Sequence, residues 1–333
     1  MAKKKITQLD LFSGIGGFHL GFEKAGYEVK SYFSEIDKHA IAVYKHQFKD
    51  AEYVGSVTNV RGSQLPRIDL ITFGSPCQDF SLAGKRAGLA GDRSGLILEA
   101  IRLIGECRPS VFIWENVKGS FSSNDGQDFA AILQEFTNLG SYRLEWQLLN
   151  TSWVLPQNRE RVYFVGYSTT PGGDWRGVFP IKEKPAGFNE GTRDAANVRA
   201  LVAGAKSGGR HSTMTLLKVK SATSRGYEIA EEGDSINLTA INSTTRRGRV
   251  GKAQAQTLDT SCAQAVIKED RIRRLTPIEC ERLQGFPDNH TAYGIYDGEV
   301  KKVSNTQRYK QCGNAVTVDI VALVAEAVKP LFK

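Results

Sequence analysis

The 333-residue sequence has no uninterrupted apolar run near the roughly 18 residues a membrane span needs. It has no internal repeat and no low-complexity tract, so repeat arrays and disordered chains are set aside. Five cysteines, Cys77, Cys107, Cys262, Cys280 and Cys312, are odd in number and 30, 155, 18 and 32 positions apart. That spacing suggests neither a disulfide framework nor a paired zinc motif, so no metal is expected and any special cysteine is a candidate nucleophile. The start Met1-Ala2-Lys3-Lys4-Lys5 leads into a strand-like segment without a signal-peptide core. A cytoplasmic location without a membrane partner is the expectation.

What is present is core material: 41% hydrophobic residues, with 16 Phe, 11 Tyr and 4 Trp. The net charge of +8 is unevenly placed. Residues 192–275 hold 15 Lys and Arg against 8 Asp and Glu, a local excess of +7, and the rest is nearly neutral. A basic segment of this kind suits a polyanionic partner, although a solvated basic surface gives the same count.

The first 170 residues alternate short apolar strands with helices. Strands are expected at 6–12, 29–33, 68–73, 111–114, 144–149 and 161–166, and helices at 18–25, 40–48, 96–106 and 129–139. This alternation implies a doubly wound, mainly parallel α/β sheet with ligands beyond the strands' carboxyl ends. From Pro171-Gly172-Gly173 to about 270 helical periodicity fades and Gly, Ser, Thr, Asn and Arg dominate, as in a small, loop-rich, partly β domain. Strand-like pieces occur at 214–219 and 235–241. Order returns where Thr276 caps a helix with Pro277 at its first position and Glu279 three residues on. Residues 316–331 read as an amphipathic helix packing back on the first domain.

Asp10-Leu11-Phe12-Ser13-Gly14-Ile15-Gly16-Gly17 is a glycine turn between strand and helix. It is either a plain tight turn or a cradle for a nicotinamide or adenosyl cofactor. The second strand ends at Ser34-Glu35-Ile36-Asp37, where Glu35 suits ribose hydroxyls and Asp37 suits a helix start. Gly74-Ser75-Pro76-Cys77-Gln78-Asp79-Phe80-Ser81 places a cysteine at the end of a central strand, as a nucleophile or an inert buried thiol. Glu115, in Trp114-Glu115-Asn116-Val117, is a surface carboxylate or a buried proton donor. In Gln157-Asn158-Arg159-Glu160-Arg161, two arginines at alternate positions form an anion clamp or a salt-bridged edge.

Together these motifs resemble the DNA (cytosine-5) methyltransferase family over essentially the whole chain. The resemblance includes Arg274-Leu275-Thr276-Pro277-Ile278-Glu279-Cys280, Gln284-Gly285-Phe286-Pro287 and Gly313-Asn314-Ala315-Val316, in the family's order. It implies a Rossmann-like S-adenosylmethionine-dependent domain with a smaller target-recognition domain. The expected division is 1–175 catalytic, 176–272 target recognition, 273–310 hinge and DNA-facing helix, and 311–333 returning to the catalytic domain. By the resemblance, Cys77 attacks carbon 6 of a flipped-out cytosine, Glu115 supports ring nitrogen 3, and Arg159 and Arg161 hold the base, a phosphate or the catalytic loop. S-adenosylmethionine is held by Phe12, Gly14, Gly16, Glu35, Ser56, Pro76, Leu96, Asn314 and Val316. Where many relatives have an acidic residue after the third strand, this chain reads Gly55-Ser56-Val57-Thr58, leaving Ser56 as the acceptor. Double-stranded DNA is the partner of a monomer, with contacts expected from Gln78, Ser81, Arg246, Arg247, Arg249, Lys252, Arg271, Arg273 and Arg274, more to phosphates than to bases. Protection of DNA from a restriction endonuclease is the implied role. The rivals are an RNA cytosine methyltransferase, whose tRNA-acting branch carries a Cys-Phe-Thr segment absent here, and an inactive sequence-specific DNA-binding protein.

Overall fold

The structure is a computed structural model, and it describes residues 3–75, 95–121, 123–168, 177–182, 217–239, 245, 248–268 and 271–332. Seven strands form the main sheet: β1 (Lys4–Leu11), β2 (Tyr27–Ser34), β3 (Glu52–Gly55), β4 (Leu70–Phe73), β5 (Val111–Val117), β6 (Tyr142–Asn150) and β7 (Glu160–Ser168). Their order is β3-β2-β1-β4-β5-β7-β6. The first five are parallel, and the order reverses beside β1, which opens a crevice at the carboxyl ends of β1 and β4.

The expected crossovers stop at β6, which runs in the same direction as β5. β7 runs antiparallel to both β5 and β6. The connection at 151–159 is too short to carry a crossover helix, so the chain turns back instead. As a consequence, the start of β7 lies beside the end of β5, with Arg161 opposite Val117 and Tyr163 opposite Glu115.

Helices α1 (Gly17–Lys24), α2 (Lys38–Gln47), α3 (Leu96–Cys107) and α4 (Gln127–Asn138) cover the sheet, near their expected bounds. Because both faces are buried, the central strands are apolar almost throughout. Leu9, Ile71, Phe112 and Trp114 point toward Ile101 and Leu103 of α3 and Phe136 of α4. Ile6, Leu70, Ile113 and Val165 point the other way, toward Phe18 and Phe22 of α1. Each large side chain so buried contributes about 1.5–3 kcal/mol.

Residues 177–182 still belong to this layer. Val178 and Phe179 donate main-chain N–H groups to Glu145, and Ile181 exchanges two hydrogen bonds with Gln147. This short segment beyond residue 175 is thus tied to side chains of β6. Among the described residues beyond it, β8 (Leu217–Lys220) pairs with β9 (Tyr227–Ala230), and β10 (Ser235–Asn237), β11 (Val250–Gly251), β12 (Gln264–Lys268) and β13 (Arg271–Arg274) form a four-stranded sheet.

α5 (Pro277–Leu283) follows, capped by Thr276 and Glu279 in a reciprocal capping box. A hairpin, β14 (Tyr293–Tyr296) and β15 (Glu299–Lys302), leads to α6 (Asn305–Asn314) and α7 (Val318–Val328). The stretch 305–331 has a membrane span's length and apolarity, but it breaks between α6 and α7 and is mostly buried. Ile320, Val321, Val324 and Val328 of α7 pack with α1 in the second core layer. α7 is accordingly more buried than the amphipathic helix expected at 316–331.

Candidate active site

At the end of β1 the chain turns sharply, with Phe12 at φ +51°, Gly14 at +53° and Gly16 at +83°. Gly16 is the left-handed N-cap of α1, a conformation that glycine adopts without a Cβ penalty. At the end of the neighbouring strand β2, Glu35 closes the turn from the side. Its Oε2 accepts the Gly14 N–H at 2.9 Å, and its Oε1 accepts the N–H groups of Ile36 and Asp37 at 2.8 and 3.0 Å. A carboxylate has about four acceptor positions, so capacity remains for a ligand hydroxyl. Asp37 caps α2 through His39 and Ala40 and accepts a hydrogen bond from Lys310 at 2.6 Å, which ties this edge to α6.

These residues open into a cavity of about 550 Å³ at the switch point. Phe12, Gly14, Glu35, Ser56, Leu96, Asn314 and Val316 all line it. Gly16 is not among the lining residues, since its role is to shape the turn. The cavity suits a nucleoside-bearing group. Phe12, Val57 and Leu96 offer apolar cover for a flat ring, Glu35 offers an acceptor, and a Cβ at Gly14 would meet nothing within 4 Å. Ile36, 78% exposed on the same rim, belongs to this wall although its sequence context gave it no role. The signal available was an apolar residue set between two carboxylates at a strand end.

The other half of the cavity holds the acid and the arginines. Glu115 is buried near the end of β5, and Arg161 Nε approaches its Oε1 at 3.2 Å. The antiparallel register creates this pair: residues 115 and 161 sit diagonally on one face of the β5–β7 ribbon. Burial pushes the Glu115 carboxyl above its ordinary range, and the Arg161 and Arg159 charges pull only partly the other way. Arg159 is 3% exposed and engages main-chain carbonyls instead, those of Ala315 at 2.8 Å and of Gly313 and Leu258 at 3.3 Å. The two arginines expected to act as one clamp therefore divide, one toward the acid and one toward the backbone.

Pro76, Cys77, Gln78 and Ser81 lie outside the described residues, as do Arg246 and Arg247. The residues that precede Pro76 at the end of β4 are described. Ser75 Oγ accepts from Trp114 Nε1 at 3.0 Å and Asn116 Nδ2 at 3.2 Å, and Gly74 and Ser75 line the same cavity as Glu115. Trp114 and Asn116 thus fix the chain immediately before the candidate nucleophile.

The candidate DNA contacts fare differently. Arg249 is a correction: it is 2% exposed, and its guanidinium donates to the carbonyls of Thr239 at 2.8 Å and Lys220 at 3.3 Å, so it staples the recognition region from within. Lys252 is exposed but paired with Asp234 at 2.7 Å, and Arg273 makes a two-pronged pair with Glu279. Arg274 donates to the carbonyl of Cys262 at 3.1 Å and stacks over Tyr309. Arg271 is exposed on β13. Among the described residues no group of three or more His, Cys, Asp or Glu is arranged to hold a metal ion.

The strand order, the crevice at its reversal and the buried acid–arginine pair in the same crevice define a Rossmann-like α/β protein with a ligand-sized cleft at the switch point. The model of the C-5 cytosine-specific DNA methylases matches residues 6–330, and the chain belongs to that family, as a DNA cytosine-5 methyltransferase that requires a methyl donor. It is 34% identical to the Type II methyltransferase M1.ScrFI of Lactococcus lactis subsp. cremoris, over 97% of this chain and 77% of that one. Against the Type II methyltransferase M.HhaI of Haemophilus parahaemolyticus it is 29% identical over 97% and 94%. The fold is shared with a prophage-encoded DNA modification methyltransferase of E. coli, at TM-score 0.62, 22% identity and coverage of 98% and 99%. It is shared also with the S. pombe Dnmt2 methyltransferase, at TM-score 0.63, 18% identity and coverage of 98% and 99%.

Proposed function

We propose that the chain, acting as a monomer, methylates one cytosine within a specific double-stranded DNA word, using S-adenosylmethionine, a covalent Cys77 adduct and a flipped-out base. The observation that carries this reading is that one cavity is lined by Glu35 and its apolar neighbours, by Glu115 and Arg161, and by Gly74 and Ser75, which precede Cys77 in the sequence. When bound, the sulfonium supplies an electrophilic methyl group. The chain's own residues make the cytosine able to receive it. The Cys77 sulfur bonds to carbon 6, which breaks the ring's aromaticity and leaves carbon 5 as the nucleophilic end of an enamine. Glu115, whose protonated form burial favours, hydrogen-bonds ring nitrogen 3 as charge develops there, and Arg161 orients the acid. Loss of the carbon 5 proton to water and departure of the Cys77 sulfur restore the aromatic ring. The basic recognition region supplies the duplex contacts that extrusion of a base requires.

The Type II relatives suggest a modification role beside a restriction endonuclease. Expression in a host without cytosine methylation, followed by bisulfite sequencing, should reveal one protected DNA word. Cys77→Ala should abolish protection while S-adenosylmethionine binding persists. Undiminished methylation in that variant, or methylation confined to RNA, would overturn the reading.

A further inference from the structure

Four separate stretches of chain meet at Gln157 and Arg159. Gln157 is fully buried and forms an isolated parallel bridge with Ala255, while Ala255 N–H donates to Pro156 and Asn158 N–H donates to Ala255, each at 2.8 Å. The Gln157 side chain accepts from Leu258 N–H at 3.0 Å and donates to the Leu283 carbonyl at 2.8 Å. Thr257 Oγ1 donates to the Asn158 carbonyl at 2.7 Å. Arg159 then spans from the Leu258 carbonyl to those of Gly313 and Ala315, residues that line the cofactor cavity. Gln284 reinforces the far side, donating to the Cys312 carbonyl at 2.7 Å and accepting from Thr317 at 3.0 Å. The recognition segment and the cavity wall also touch directly, because a Cβ at Gly313 would stand 2.4 Å from the Asp259 carbonyl oxygen.

From this we infer that Gln157 and Arg159 form a latch that couples placement of the recognition region on DNA to closure of the cofactor cavity. The inference rests on the reading above of the cavity as the S-adenosylmethionine site and of the segment around 217–268 as DNA-facing. Its physical content is that residues 255–260 and 313–315 share one set of buried hydrogen bonds, so neither segment shifts without the other. Breaking the shared set leaves buried carbonyls without donors, which resists partial opening. Arg159 is in this account a positioning residue, acting through Gly313 and Ala315. Coupling of this kind is reciprocal: DNA must strengthen cofactor binding by the same factor by which cofactor strengthens DNA binding.

The test uses the full chain, S-adenosylhomocysteine as a non-reacting probe, and a duplex carrying the word found by bisulfite sequencing. Calorimetry gives probe affinity with and without duplex, and fluorescence anisotropy gives duplex affinity with and without probe. In the unmodified chain both ratios should agree and reach at least about fivefold. Arg159→Lys keeps the charge but replaces the planar fork with a compact ammonium whose donors, clustered at one point, cannot span carbonyls on two separate segments. It should reduce both ratios below about twofold, whatever its effect on affinity for the probe alone. Gly313→Ala, which wedges Asp259 away without altering charge, should do the same and decides the matter if Arg159→Lys fails to fold. Ratios near one in the unmodified chain, or full ratios in either folded variant, overturn the latch. Absence of any probe binding by the unmodified chain overturns the cofactor reading and the latch with it, a result distinct from binding without coupling.

Discussion

Burial at the end of β5 favours the protonated form of Glu115, and the Arg161 charge beside it pulls the other way. The protonated acid is the active form, so kcat/KM should fall as pH rises through the raised pKa. Replacing Arg161 by Met removes a charge that favours ionisation, so the alkaline limb of the kcat/KM profile should move to higher pH even as the rate itself drops. A limb that stays in place would detach the pair from catalysis. Glu115→Gln should lower kcat by about 10²–10⁴-fold, the usual worth of a positioned acid, measured in single-turnover methyl transfer. Arg249 makes the opposite point about arginines. Arg249→Ala should destabilise the chain by about 2–4 kcal/mol in urea unfolding, since two main-chain carbonyls lose a buried donor. A phosphate-contacting arginine would leave stability untouched. Sequence counting could not separate these cases, because it registers that residues 192–275 are basic but not which guanidiniums turn inward. Glu35 and Asp37 were separable, since a carboxylate at a strand end and one at a helix start answer to different local hydrogen-bond demands.

Among the elements, the capping box at α5 was legible from four residues because its bonds are local. Thr276→Ala should cost about 1 kcal/mol, read as a lowered urea midpoint at unchanged slope. The parallel strands were equally legible, each being a short apolar run that ends in a chemically loaded turn. The reversal at β7 was not, because strand direction depends on how the intervening chain closes and not on the composition of the strand. That reversal is what brings Arg161 to Glu115, so the sequence disclosed both partners and not the reason they meet. The Gln157 network was hidden for a related cause: its partners near 255, 283 and 313 are remote in sequence, and a buried glutamine has no local signature.

For the molecule as a whole, charge and chemistry occupy different regions of the chain. Arg271, exposed on β13, should report the DNA-facing side: Arg271→Ala should weaken duplex binding and make the dependence of log affinity on log salt shallower by about 0.9 for each phosphate it had neutralised. Arg249→Ala should leave that slope unchanged in the folded fraction.

The packing of α7 against α1 carries a consequence for the order of synthesis. Phe18 and Phe22 are separated from the residues that cover them, Ile320, Val321 and Val324, by most of the sequence. At about 5–20 residues per second a ribosome takes tens of seconds to make the intervening chain. Until α7 is made the second core layer stands half-covered and Val316 is missing from the cavity wall. The nascent chain should therefore hold its apolar α1 face open, and its cavity incomplete, until after residues 217–274 have been made.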